Sequence, residues 1–334
     1  MKAPIVFYLP RSKWPDGALP KNVEEYSETY FLNTDLSWVL QSYLRLREAG
    51  YPVQLVPDIP GAGIIVTFGG LLRLNYRSNP EQFLVSISAD NRPQFFAPMH
   101  IVQNFTQTRF LRDSFHIPHW PQPGINPRPV TSGNRFTRAA FFGDECNLAP
   151  ELKKSSWVSA LREVGLEWSV RGQQCHYKVD YSDVDLIVAV RSFQKRGYLR
   201  KPASKLFNAW LAGVPAVLGN EFAYREQRKS KLDYIEVETC EEACHALRAL
   251  AASPVLRAQM IENGFRRARE ISTSAITERW RTILFEEAIP RFERWRTLSA
   301  SDRQKFMLRR LLQKKIRGVR HRLLRALGQE QNAL

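Results

Sequence analysis

The densest group of chemically useful side chains lies in RKPASKLFNAWLAGVPAVLGNE, Arg200–Glu221. Lys201 and Lys205 flank Pro202 and Ser204: Pro202 breaks what precedes, and Ser204 is suited to cap the helix that follows. The free N–H groups and positive dipole end of such a helix attract phosphate, and two lysines add full charges there. Arg191 ends the preceding apolar run, so it is expected at the same end of the sheet. In open α/β sheets that carboxyl end is where ligands bind. An anionic nucleotide fits these residues.

Three other groupings invite chemistry. Asp183-Val184-Asp185 has the spacing of a metal-binding acidic pair, but it stands at the mouth of a buried strand, where short acids commonly end a loop; no metal is expected. Cys240 and Cys244-His245, with Cys175-His176, supply zinc-type ligands, yet without a Cys-x-x-Cys pair they read as ordinary cysteines. His100, His116 and His119 read first as structural histidines. His119 stands out because it lies where two domains would join.

Charge sets the context. The 334 residues carry 49 Lys+Arg against 33 Asp+Glu, a net charge of +16. Half of that excess falls in Ser301–Leu334, where ten Lys/Arg face only Asp302 and Glu330. Leu308, Leu311, Leu312, Ile316, Val319, Leu323 and Leu327 recur there at three- and four-residue steps, the stripe of an amphipathic helix. Arg309, Arg310, Lys314, Lys315 and Arg317 lie between them, a pattern suited to an anionic membrane surface. Composition is ordinary for a globular protein, at 44% hydrophobic and 25% charged, which excludes a disordered chain. No apolar run reaches membrane-spanning length, no signal peptide is read, and four cysteines make no disulfide framework, so the expected location is the cytoplasm, peripheral on the inner membrane face.

The elements that must position these residues alternate. Strands are expected at Pro4–Leu9, Val53–Val56, Gly63–Phe68, Phe83–Ser88 and, more weakly, Ile101–Phe105, with a helix over Leu36–Ala49. The run from Ile117 to Pro129 holds five prolines and suits a linker. Beyond it come a strand at Arg138–Phe142, a helix over Leu152–Val164, strands at Leu186–Val190, Ala216–Leu218 and Tyr234–Val237, and a helix at Ala203–Ala212. Helices follow at Glu241–Leu250, Val255–Glu270 and about Ala275–Phe292. The pattern predicts two doubly wound α/β domains: 1–120, a linker at 121–137, 138–300, and a basic tail at 301–334.

Lys205–Glu221 resembles the donor-nucleotide region of glycosyltransferases with the GT-B fold. The helix-to-strand pattern is matched by Asn208-Ala209-Trp210-Leu211-Ala212-Gly213-Val214-Pro215, and the likeness extends over about 180–285 through Leu232–Val237, Ser253–Met260 and Gly264–Ala268. It implies two Rossmann-like domains facing across a cleft, the second binding a nucleotide sugar without metal or other cofactor. The two glutamates of the commonest retaining branch fall here at Arg200 and Asn208. The first carboxylate is lost; the second is an amide, still able to bond a ribose hydroxyl.

Sugar transfer requires a stabilised leaving diphosphate, an oriented acceptor hydroxyl and, for inversion, a base. On this resemblance Lys205, Lys201, Arg191 and Ser204 serve the diphosphate, Asn208 the ribose and Glu221 the donor sugar. Asp90 is the candidate base, and Gly69, Gly70 and His119 line the acceptor side. The expected partners are a nucleotide sugar, a glycan or lipid-linked acceptor and an anionic membrane. The alternatives are a basic nucleic-acid-binding α/β protein and a GT-B-shaped protein without transferase activity.

Overall fold

The computed structural model describes residues 4–14, 21–25, 33–172, 179–194 and 197–326, with side chains in the last helix described to 316 and at 319. Two compact units emerge: Met1–Trp120 with Leu199–Pro202 and Thr273–Leu334, and Pro121–Tyr198 with Ala203–Ser272. The Pro-rich stretch thus straddles the first crossing between units, as its composition suggests.

In the first unit, β1 (Ile5–Tyr8) leads to a wide helical turn over Leu36–Leu40 and α1 (Gln41–Glu48). Then follow β2 (Val53–Val56), β3 (Gly63–Phe68), β4 (Gln82–Ile87), β5 (Met99–Val102) and β6 (Ser114–His116). All pair in parallel, in the order β2-β1-β3-β4-β5-β6. Every residue of β3, β4 and β5 is buried, which is why these segments read as continuous apolar runs. The strand expected at Ile101–Phe105 begins earlier, at Met99, and Phe105 already turns into a short 3-10 helix.

The second unit contains β7 (Arg138–Phe142), α2 (Ser155–Glu163), β8 (Glu167–Arg171), β9 (Leu186–Ala189), α3 (Ser204–Ala212), β10 (Ala216–Gly219), α4 (Phe222–Gln227), β11 (Ile235–Val237), α5 (Cys240–Ala252) and α6 (Pro254–Ala268). Its five strands are also all parallel, ordered β11-β10-β9-β7-β8. Gly213 ends α3 at φ 66°, a left-handed cap that glycine adopts without strain, and Val214-Pro215 feeds β10.

The expected domain end at 300 is corrected. From Thr273 the chain belongs to the first unit again, as α7 (Thr273–Arg281), a π-helical stretch over Thr282–Ala288, α8 (Ile289–Arg296) and α9 (Ala300–Ala326). The reason is aromatic burial: Trp280 packs against Phe7 and Trp38, while Phe292 and Trp295 pack against Phe83 of β4. Among the described residues no helix is long and apolar enough to cross a membrane.

Candidate nucleotide and acceptor sites

Because each sheet is wholly parallel, its strand ends collect side chains from distant sequence on one edge. In the second unit the carboxyl edge carries Gly143 after β7, Arg191 after β9 and Glu221 after β10. Lys205, in the first turn of α3, lies over the Phe141 ring, with Nζ 5.2 Å from its centroid and 3.6 Å from where a Cβ on Gly143 would sit. Gly143 has φ 142°, a backbone that favours glycine. Ser204 does not cap α3; Ala203 is the cap residue, and it makes no side-chain cap hydrogen bond. A helix start carries a positive dipole potential, here with a lysine in its first turn.

Arg191 is held in place by two partners. Its Nε donates to Glu221 Oε2 at 3.2 Å and its Nη1 to Asn147 Oδ1 at 2.9 Å. Glu221 is 2% exposed, so the expected contact of this carboxylate with donor sugar hydroxyls is corrected: it is buried as the counter-ion of Arg191. Asn208 is corrected likewise. Its amide donates to Gln122 Oε1 at 3.0 Å and is hydrogen-bonded to buried Tyr181, not directed at a ribose. Burial pushes the Tyr181 hydroxyl above its ordinary range, and the bond to Asn208 offsets part of that.

The acidic pair sits at the opposite, amino end of β9. Asp185 is 2% exposed and accepts from Arg128, Arg135 and the Thr137 and Arg138 backbone N–H groups. Asp183 accepts from Arg171 at 2.6 Å and from Arg138. Burial alone would raise both carboxyls, but these donors hold them below their ordinary range. Among the described residues no trio of His, Cys, Asp and Glu is placed to hold a metal. Cys240 and Cys244 are free thiols, and Cys175-His176 lie outside the described residues.

The first unit has its own carboxyl edge, built by the ends of β3, β4, β5 and β6. Asp90 follows β4 after Ala89, whose φ of 41° holds a non-glycine residue in the sparsely populated left-handed region. One Asp90 oxygen accepts from Gln103 Nε2 at 2.9 Å, and the other lies 3.2 Å from Lys201 Nζ. Gln103 Nε2 also donates to Arg200 O at 2.6 Å, and Asn104 Nδ2 to Lys201 O at 3.3 Å. Lys201 therefore joins Asp90 in this unit.

The glycines and histidine are occupied by their own chain. A Cβ on Gly70 would come within 2.4 Å of Asn91 and 2.6 Å of Phe68, while Gly69 O accepts from Gln94 at 2.8 Å. His119 Nδ1 lies 2.9 Å from Trp120 O, and Nε2 lies 3.2 Å from Ser37 Oγ. A carbonyl only accepts, so Nδ1 carries a proton, while Nε2 shares a hydrogen bond with Ser37. Burial, opposed by that backbone bond and by the Asp90 charge, lowers its pKa. The acceptor-side role of His119 gives way to a structural one, with its ring edge-on to Trp38 at 5.4 Å. Sequence reasoning passes over Gly143, Asn147 and Gln103. Only Gly143 carried a signal, as the residue that ends a buried strand.

Arg310 was expected on the membrane-facing side of the tail. It is 6% exposed instead, donating to Ala97 O at 3.3 Å and pairing with Asp113 at 3.1 Å. Lys314 Nζ lies 5.3 Å from the Phe95 centroid, while Arg309 and Lys315 are exposed; of Arg317 only its place in α9 is described. The apolar residues Leu308, Leu312, Ile316 and Val319 are 58%, 58%, 66% and 48% exposed.

No protein-family model and no curated protein sequence matches the chain. Solved structures do. A sucrose-phosphate synthase from Thermosynechococcus elongatus is 13% identical, with 85% of this chain and 99% of that one covered at a TM-score of 0.53. AviGT4, a glycosyltransferase involved in avilamycin A biosynthesis, is 14% identical over 88% of this chain and 98% of that one, at a TM-score of 0.50. The chain spans 58% of TarM, at 11% identity over 73% of this chain and a TM-score of 0.48, and 57% of the matched chain of the GtfA/B complex. The likeness is one of fold: two parallel-sheet α/β units with the GT-B architecture.

Proposed function

We propose that the chain is a glycosyltransferase that moves a sugar from a nucleotide-sugar donor to a glycan or lipid-linked acceptor at a membrane surface. The observation that carries this is Lys205 beside Gly143, at the start of α3 and the carboxyl end of β7. On the GT-B architecture this arrangement supports a diphosphate site, in which Lys205 and the first N–H groups of α3 neutralise the leaving phosphate. Arg191, oriented by Glu221 and Asn147, adds a second cation on the same sheet edge.

Asp90 is the proposed base. Its two oxygens are oriented by Gln103 and Lys201, and each retains lone-pair capacity for an acceptor hydroxyl. The acceptor oxygen attacks the anomeric carbon, its proton passes to Asp90, and the bond from that carbon to the diphosphate oxygen breaks with its electron pair on the phosphate. The outcome is inversion. In α9, the exposed Leu308, Leu312, Ile316 and Val319 beside exposed Arg309 and Lys315 support contact with anionic lipid.

The test is thermal shift against UDP-, GDP-, ADP- and CMP-sugars, with calorimetry on the best of them. Selective stabilisation that Lys205→Ala abolishes is expected. No shift with any donor would sink the reading, and a salt-dependent shift with oligonucleotides would favour nucleic-acid binding.

A further inference from the structure

The amino end of the second unit's sheet gathers three arginines around one acid. Asp185, which leads into β9, takes Arg128 Nε at 2.9 Å and Arg135 Nε at 3.0 Å on the same oxygen. Its other oxygen accepts from the backbone N–H groups of Thr137 and Arg138. Arg257, in the second turn of α6, has no such partner. Its Nη1 donates to Leu250 O at 2.6 Å and its Nη2 to Asn134 O at 3.0 Å, and its guanidinium carbon lies 4.6 Å from the Phe136 ring centroid. Among the described residues it meets carbonyls and a ring, but no carboxylate. The neighbouring Asp183 is committed to Arg171 and Arg138. Three guanidiniums thus share one carboxylate.

They also share a space. A cavity of about 60 Å³ is lined by Arg128, Arg135, Arg257 and Asp185, with Pro254 and Ala258 of α6. A single water needs only ~10–15 Å³ measured in this way, so there is room for a polyatomic ion. The walls are fixed: the side chain of Arg128 is 8% exposed, Arg257 is 7% exposed, and Arg128 Nη2 is tied to Gly133 O and Arg135 O. Nη1 of Arg128 and of Arg135 makes no hydrogen bond to the protein among the described residues. Arginine stays charged even when buried, so the repulsion between these groups is held in the fold until an anion arrives. Burial first, and then Arg128, press the Arg257 pKa down, with Asp185 offsetting part of this. The two uncompensated charges match a phosphate monoester, which carries about −1.5 to −2 near neutral pH. Guanidinium forks also fit its oxygens.

We propose that Arg128, Arg135 and Arg257 form a binding site for a phosphate group, either the free ion or a monoester. The site stands at the amino end of the sheet, whereas Lys205 and Arg191 stand at its carboxyl end. A phosphate there ties the loop carrying Arg128 and Arg135 to α6 and stabilises the second unit. The proposal does not rest on the transferase reading.

The experiment titrates the full chain with inorganic phosphate and with glycerol 3-phosphate by calorimetry, and follows the melting midpoint against chloride at matched ionic strength. Phosphate is expected to raise the midpoint where chloride does not. Ala258→Glu sets a carboxylate at the exposed rim without removing a hydrogen bond. It should weaken phosphate binding tenfold or more without lowering the phosphate-free midpoint, while Ala258→Gln binds like the parent. Arg135→Gln, at the least buried of the three arginines, should also cost about tenfold; if it folds poorly, Ala258→Glu decides. Tighter binding of inorganic phosphate identifies the free ion, and tighter binding of glycerol 3-phosphate a monoester. Equal binding of the two places only the phosphate group inside. Binding of neither probe beyond the chloride control would overturn the site, as would binding indifferent to Ala258→Glu. Binding that Lys205→Ala abolishes would overturn it too, by assigning the phosphate to the opposite edge.

Discussion

At the carboxyl edge of the five-stranded sheet, Arg191 pairs with a buried glutamate, and Lys205 rests over an aromatic ring. At the corresponding edge of the six-stranded sheet, an exposed aspartate pairs with Lys201. Both edges are built the same way, from parallel strands whose ends point together. The difference lies in the carboxylate. In the second unit it is buried against its arginine, and in the first it is exposed beside its lysine. On the function proposed above, similar frameworks would do different work: holding a leaving phosphate in one unit, activating a nucleophile in the other.

The sharpest way to break that contrast is Asp90→Asn. Loss of a general base is expected to lower turnover by about two to four decades, with donor affinity nearly unchanged. Steady-state transfer and calorimetry on the same variant check it. Turnover within a factor of ~2 of the parent returns Asp90 to a simple turn residue. Retention of anomeric configuration in the product would do the same, since retaining transfer needs no such base.

The units should also respond differently to acid. Burial next to the positive Arg279 lowers the pKa of His116 in the first unit to about 4 from an ordinary 6.5. The unfolded chain therefore binds the proton first, and stability held above pH 6.5 is lost as pH falls through that window to about 4. The loss is of order 2–4 kcal/mol. In the second unit the depressed groups are Asp183, Asp185 and Glu236, whose contribution is present above their ordinary carboxylate range and disappears only below it. Denaturant titrations from pH 7 to 4 should thus weaken the first unit first, as reported by hydrogen exchange, and His116→Phe should flatten that dependence. A simultaneous loss in both units would contradict the assignment.

Much of this was legible in the sequence, for a physical reason. Buried parallel strands such as Gly63–Phe68 and Arg138–Phe142 announce themselves as apolar runs, and the Gly213-Val214-Pro215 turn fixes where α3 ends. Edge strand β8, Glu167–Arg171, has an alternating and half-exposed pattern, so it went unread. The return of the chain at Thr273 was equally invisible, because Trp280, Phe292 and Trp295 look the same whichever sheet they cover. Site residues divide along the same line. That Lys205 stands at a helix start and Asp90 after a strand follows from local pattern alone. The fates of Asn208, Glu221 and His119 depended on partners 86, 30 and 82 residues away, which no local pattern encodes.

Lys205→Ala and Arg191→Ala sharpen the picture within the second unit. Each should weaken donor binding by roughly one to two decades, the worth of a charge-assisted phosphate contact. Only Arg191→Ala should also destabilise the fold, because it removes the Arg191 ion pair from Glu221, which is 2% exposed. Removing one partner of a buried pair costs about 3–5 kcal/mol, so the melting midpoint should fall clearly for Arg191→Ala and stay put for Lys205→Ala. Equal melting midpoints would mean that the Arg191–Glu221 pair is not the stabilising contact its burial suggests.

The smallest expected effect concerns which unit touches lipid. Helix α9 presents two faces: Arg310 and Lys314 lie against the first unit, through Asp113 and Phe95, while Leu308, Leu312 and Ile316 are exposed. The second unit also exposes apolar residues, Val130 at 93% and Val255 at 67%. Replacing Leu308, Leu312 and Ile316 together by Ser should therefore cut binding to anionic vesicles by about tenfold, since each side chain that leaves the lipid forfeits part of its transfer energy. Replacing Val130 and Val255 by Ser should leave binding unchanged, and raising salt should weaken the parent chain, whose long-range attraction is electrostatic. Co-sedimentation with anionic and neutral vesicles reads all three. Binding that survives the α9 change, or that falls equally with the change in the second unit, would remove the lipid-facing role of this helix and leave Asp113–Arg310 as a purely structural clasp.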